Sequence, residues 1–132
     1  VLNDAEAMKR LESIVHPLAG QAQHDFRQQA REAGAPFVVI DIPLLYETGG
    51  WQLCDYVAVV SAPADVQRER VLSRPDMTLQ TFESILARQV PDAEKRARAD
   101  FVISTGHGFE FARDHVRAII GLMNRKEEED RS

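Results

Sequence analysis

Residues 37–47 read Phe37-Val38-Val39-Ile40-Asp41-Ile42-Pro43-Leu44-Leu45-Tyr46-Glu47. An unbroken apolar run closed by Asp41 and Pro43 has the pattern of a strand buried on both faces, as in a parallel sheet. Two more runs of this kind lie downstream. Tyr56-Val57-Ala58-Val59-Val60 is one, and Phe101-Val102-Ile103, ended by Thr105-Gly106, is the other. Helical patterns fill the spaces between them. Pro63 opens a helix over roughly 64–73. Thr78 is placed to N-cap a helix bearing Phe82, Ile85 and Leu86, and Pro91-Asp92 begins a short one through Ala99. A final amphipathic helix carries Phe109, Val116, Ile119, Ile120 and Met123, with a charged tail from Asn124 expected to fray.

Upstream, Asn3 and Glu6 have capping-box spacing, and Met8, Leu11, Ile14, Val15 and Leu18 recur at helical intervals. His16-Pro17 predicts a break or kink, because proline pushes its predecessor out of the helical region. A second helix with Leu18, Ala22, Phe26 and Ala30 on one face would then end near Gly34. Strands alternating with helices predict an α/β fold with a parallel sheet. Three strands make a thin sheet for a free-standing domain. The start at Val1, almost inside a helix signal, also leads us to expect that something upstream is missing.

Composition narrows the function. The chain has 132 residues, 44% of them hydrophobic, and a net charge of −5. An acidic chain is a poor partner for nucleic acid, whose phosphates need clustered cations. Residues 68–98 stand apart, with seven basic against five acidic side chains and so a net +2. That segment suits a small polyanionic ligand, although an ordinary solvated helical face has the same composition. The single cysteine, Cys54, permits no intrachain disulfide and no cysteine-based metal site, in keeping with a reducing, cytoplasmic setting. No apolar run approaches the roughly 20 residues that span a bilayer, so no membrane role is expected.

Several residues have the chemistry for phosphoryl transfer. Asp41 ends an apolar strand, where open α/β sheets bind ligands and where nucleotide-handling sheets hold Mg²⁺. A strand-ending or capping Asp meets the same description. The apolar residues after it, Pro43, Leu44 and Leu45, can wall a pocket or simply fill core, and Glu47 lies beside them. Arg74, Arg88 and Arg98 lie in or beside the basic helical insert. A mobile guanidinium there can bind phosphate oxygens bidentately as a site closes, and each is equally placed to be solvated. His16 could meet an anionic substrate or merely cap and pack. No serine or threonine sits in a nucleophile-elbow setting, and the four histidines lack ligand spacing.

In order, these segments resemble one family. Asn3-Asp4-Ala5-Glu6 through Ile14-Val15-His16-Pro17-Leu18 looks like the helix and "HP" motif of dephospho-CoA kinases. Val39-Ile40-Asp41-Ile42-Pro43-Leu44-Leu45-Tyr46-Glu47 resembles their "DIPLLFE" segment, and Asp55 to Val60 the next strand. Gln67 to Arg70, Arg74, Arg88-Gln89, Glu94-Lys95, Ala99-Asp100-Phe101-Val102-Ile103 and Gly106 are similar to the lid and last strand. The resemblance runs from about Asn3 to Met123.

It implies transfer of the γ-phosphoryl of ATP to the ribose 3′-hydroxyl of dephospho-CoA, the last step of coenzyme A synthesis. It also implies a partial P-loop kinase fold, with a parallel sheet, a helical substrate-binding part and a two-helix lid. Residues 1–36 would be the CoA-binding helices, 37–67 and 99–132 the core, and 68–98 the lid. Arg74, Arg88 and Asp41 would be the catalytic candidates. Arg74, Arg88 and Gln89 would face ATP, Asp41 would hold Mg²⁺, and His16, Pro43, Leu44, Leu45 and Glu47 would contact the acceptor. The family's GxxxxGK[ST] P-loop is absent from these 132 residues, so the chain alone is expected to be inactive. The turn at Pro75-Asp76-Met77-Thr78 also lacks a glycine often found there. Two alternatives stay open: part of another small-molecule P-loop kinase, such as a nucleoside monophosphate kinase, or a non-catalytic binding module completed by another chain.

Overall fold

A computed structural model describes residues 4–131. The chain divides into two compact units, Val1–Asp41 and Ile42–Ser132.

The first unit is built on helix α1, Ala5–Glu32. Its N-cap is Asp4, whose carboxylate accepts from the Glu6 and Ala7 backbone N–H groups at 3.1 Å each. The capping residue expected from the sequence, Asn3, lies outside the described residues. The expected break at His16-Pro17 does not occur, and one helix runs through both residues. Proline removes one backbone donor and crowds the preceding turn. Every residue from Leu11 to Gln21 is exposed, so water can satisfy the carbonyl that proline leaves free. The C-terminus forms as expected. The Gly34 N–H donates to the Arg31 carbonyl and the Ala35 N–H to that of Ala30, with Gly34 at φ +74°. This is a Schellman closure, which needs a residue tolerant of the left-handed region. Residues 37–41 follow as irregular chain, contrary to the strand that their apolar run predicts.

The second unit holds a sheet of two strands, β1 (Ala58–Ser61) and β2 (Phe101–Ser104), paired in parallel. Ala58 stands opposite Phe101 and Ser61 opposite Ser104. The three-strand expectation is thereby corrected. A strand exists only where a neighbour takes its backbone groups, and among the described residues Phe37–Asp41 has none. The sequence run at Tyr56–Val60 also shifts, since the paired segment starts at Ala58. Three helices cross from β1 to β2: α2 (Ala64–Leu72), α3 (Leu79–Arg88) and α4 (Asp92–Arg98). All three lie where the sequence predicts. Thr78 caps α3 through its hydroxyl, which accepts from the Thr81 N–H at 3.1 Å. Met77 N–H donates to the Arg74 carbonyl, closing a turn with Asp76 at φ +62°. A type II turn puts this demand on its third residue and is usually met by glycine.

Helix α5, Phe109–Arg131, packs against β2. The expected fraying from Asn124 is not seen. Glu127 and Arg131 pair one turn apart at 3.0 Å, and Lys126 lies 5.1 Å from the centroid of the Tyr56 ring.

The strand pair is clamped at both ends. At its start, the Val57 N–H donates to the Asp100 carboxylate at 2.8 Å, while the Asp100 and Phe101 N–H groups both donate to the Val57 carbonyl. At its end, the Thr105 N–H and hydroxyl both reach the Ser61 carbonyl, at 2.8 and 3.1 Å. Gly106 follows, where an added Cβ would lie 2.8 Å from Pro63 Cδ. Only glycine allows the loops after the two strands to approach so closely. The buried hydrophobic side chains among the described residues are Tyr46, Val57 and Phe82.

Candidate functional site

The carboxyl ends of parallel strands are where open α/β sheets bind ligands. Here the end of β1 leads into an open cleft of about 400 Å³, between Ala62, Pro63, Ala64 and Gln67 on one side and Asp92, Ala93 and Arg96 on the other. Its polar wall is already paired. Asp92 accepts from the Ser61 hydroxyl through both oxygens, at 3.0 and 2.9 Å, and from Arg96 Nε at 2.8 Å. Arg70 crosses from α2 to donate to the Thr105 carbonyl at 2.8 Å, which fixes the loop after β2.

The lid candidates are available cations. Arg74, in the turn after α2, and Arg88, the last residue of α3, are exposed. Neither takes part in an ion pair or side-chain hydrogen bond among the described residues. Gln89, the C-cap of α3, is half-buried. His16 and Asp41 belong to the first unit and are exposed.

Residues 42–53 precede β1 and hold one buried residue, Tyr46. Pro43 and Leu44 are exposed and Leu45 is half-buried. Gly49, at φ +78°, leads into a short 3-10 turn over Gly50–Leu53. Glu47 Oε2 lies 3.0 Å from Lys95 Nζ in an ion pair whose side chains are only 11% and 18% exposed. Both Glu47 oxygens are buried without a well-angled hydrogen bond among the described residues, so charge attraction to Lys95 is what compensates the carboxylate. The Arg98 guanidinium lies 4.3 Å from the Tyr46 ring centroid and 5.2 Å from that of Trp51. Burial raises the Tyr46 hydroxyl above its usual pKa, with Arg98 acting in the opposite direction.

Of the residues singled out from sequence, the structure therefore brings Glu47 against the basic helix. It leaves Arg74 and Arg88 facing solvent. Sequence reasoning missed Lys95, Tyr46 and Trp51. One signal could have found the helix side of the contact: Lys95 and Arg98 are three apart on α4 and share a face.

The fold and this arrangement define an α/β protein of the parallel-sheet class, with an open cleft after β1 and a helical crossover rich in cations. A family model for dephospho-CoA kinase matches residues 1–110, and the chain belongs to that family. It is 57% identical over 120 residues to a dephospho-CoA kinase of Mesorhizobium japonicum, covering 91% of this chain and 61% of the relative. It is 51% identical over 125 residues to one from Rhodopseudomonas palustris, covering 95% and 63%. Among solved structures, a Thermus thermophilus protein matches with a TM-score of 0.70 at 28% identity, over 92% of this chain and 62% of that one. The dephospho-CoA kinase from Campylobacter jejuni matches with a TM-score of 0.62 at 26% identity, over 95% and 62%. The chain thus spans about three-fifths of the length of these relatives.

Proposed function

We propose that this chain supplies the acceptor-binding part, the lid and part of the core of an enzyme that phosphorylates the ribose 3′-hydroxyl of dephospho-CoA from ATP. The observation that carries the reading is the family match over residues 1–110. In it, residues 1–36 bind the CoA moiety, 37–67 and 99–132 form the core, and 68–98 form the lid. The reaction takes place within the cytoplasm.

The chain's own residues then divide the work. Arg74 and Arg88 are unpaired guanidiniums on the helical crossover, free to take phosphate oxygens when the lid closes. Gln89 adds an amide donor beside them. His16 meets the acceptor's charged groups, Pro43, Leu44 and Leu45 give the acceptor an apolar wall, and Glu47 lies beside that wall. Asp41 is the residue that would hold Mg²⁺. No cluster of three or more metal-ligating side chains occurs among the described residues. When bound with the nucleotide, Mg²⁺ offsets negative charge on the phosphate oxygens.

The test compares ADP formation with and without dephospho-CoA. It uses this chain and a chimaera in which the P-loop-bearing segment of the Mesorhizobium japonicum relative precedes it. Turnover by the chimaera alone, and only with dephospho-CoA, is expected. The P-loop contributes several orders of magnitude to such reactions. A chimaera that phosphorylates a nucleoside monophosphate instead would overturn the acceptor assignment.

A further inference from the structure

We propose that Lys95 and Arg98 are positioning residues, which lock the acceptor loop, residues 43–53, onto helix α4. This rests on the acceptor reading given above. The contact has two parts on one helix face. Lys95 Nζ holds the Glu47 carboxylate at 3.0 Å, and the Arg98 guanidinium lies over Tyr46 at 4.3 Å and Trp51 at 5.2 Å. The acid and both rings belong to a single loop. The pair is not of the usual surface kind. Its side chains are mostly withdrawn from water, and among the described residues the Glu47 oxygens have no hydrogen-bonded alternative. Removing Lys95 leaves a buried carboxylate without its counter-charge, which the loop must relieve by moving.

The consequence is directional. Residues 43–45, next to Tyr46 and Glu47, are the wall against which the acceptor is proposed to rest. Helix α4 belongs to the proposed lid. The latch therefore makes the shape of the acceptor wall depend on where the lid helix stands, while the cations assigned to ATP, Arg74 and Arg88, lie outside it. Loss of the latch is expected to weaken use of the acceptor and to leave use of ATP alone.

Two measurements test this together. The chain has one tryptophan, Trp51, so its fluorescence reports on the latch without any turnover. Lys95→Met and Arg98→Leu are each expected to raise acrylamide quenching of Trp51 in this chain, and Lys95→Arg to leave it near wild type. In the P-loop chimaera, Lys95→Met is expected to raise KM for dephospho-CoA by about tenfold or more, the scale on which a misplaced binding group acts, with KM for ATP unchanged. Lys95→Arg should restore most of the loss. Unchanged Trp51 quenching in both variants, or equal rises in the two KM values, overturns the proposal. A wild-type chimaera that ignores dephospho-CoA overturns the acceptor reading and the role given to the latch, whereas the Trp51 measurement still shows whether the latch exists.

Discussion

Helix α1 and the sheet unit are held by different kinds of interaction. No residue of α1 is buried, and its apolar side chains stand open, Leu18 at 67% and Phe26 at 49% exposure. What defines it is local: the Asp4 cap, the Schellman end, and side-chain bonds one turn apart, such as Gln21 to Asp25 at 2.8 Å. The second unit is joined across long stretches of sequence. Val57 meets Asp100, Ser61 meets Asp92, and Glu47 meets Lys95. Local bonds set where a helix starts and stops but bury little apolar surface, and burial is the larger source of stability. The two regions should therefore respond differently to substitution.

The largest contrast is between two phenylalanines. Phe82, 6% exposed, should cost about 3 kcal/mol or more when replaced by alanine. Phe26→Ala should change stability by less than about 0.5 kcal/mol. Urea unfolding followed by circular dichroism reads both, and comparable losses would erase the distinction.

Pro17→Ala tests α1 from the other side. Proline in an exposed helix interior is less favourable than alanine by about 3 kcal/mol, so the variant should show more helical ellipticity and melt later. A drop in ellipticity would mean that the proline serves a packed arrangement rather than opposing the helix.

Asp100→Ala removes the clamp at the start of the strand pair and leaves the Val57 N–H without its acceptor. A loss of about 1–3 kcal/mol is expected, read as a lower urea midpoint. The corresponding local change in the first unit, Asp4→Ala, should cost about 1 kcal/mol of helix stability.

A small effect is expected at Tyr46. Its buried hydroxyl has no hydrogen-bond partner among the described residues, so Tyr46→Phe should be neutral or stabilising by up to about 1 kcal/mol. A pH series sharpens this. Burial raises the folded hydroxyl pKa above the usual 10.0, so the unfolded chain ionises first. The contribution of the neutral hydroxyl is then fully present below pH 10 and is lost as pH rises through the folded value. The wild-type chain should lose stability with rising pH in that window more steeply than the Phe variant. Parallel alkaline profiles would contradict the assignment.

Sequence alone settled the order of elements from β1 onward and the chemical punctuation of the chain. Gly34 after α1, Thr78 before α3, Pro91 before α4 and Gly106 after β2 all mark boundaries that form as read, because caps and turns depend on one or two residues and their immediate backbone. The basic character of the crossover and the segments that identify the family were legible for the same reason. Tertiary structure decided which apolar run became a strand. Phe37–Ile40 and Val57–Val60 are alike as sequence, yet among the described residues only the second has a partner, since strand identity belongs to a pair of segments and not to one. The continuity of α1 through Pro17 was not legible either, although no tertiary contact accounts for it: the helix is exposed there, so water can take the freed carbonyl. The meeting of Glu47, Tyr46 and Trp51 with Lys95 and Arg98 was likewise hidden. Those residues are brought together by the crossover from β1 to β2, a distance along the chain that no local pattern encodes.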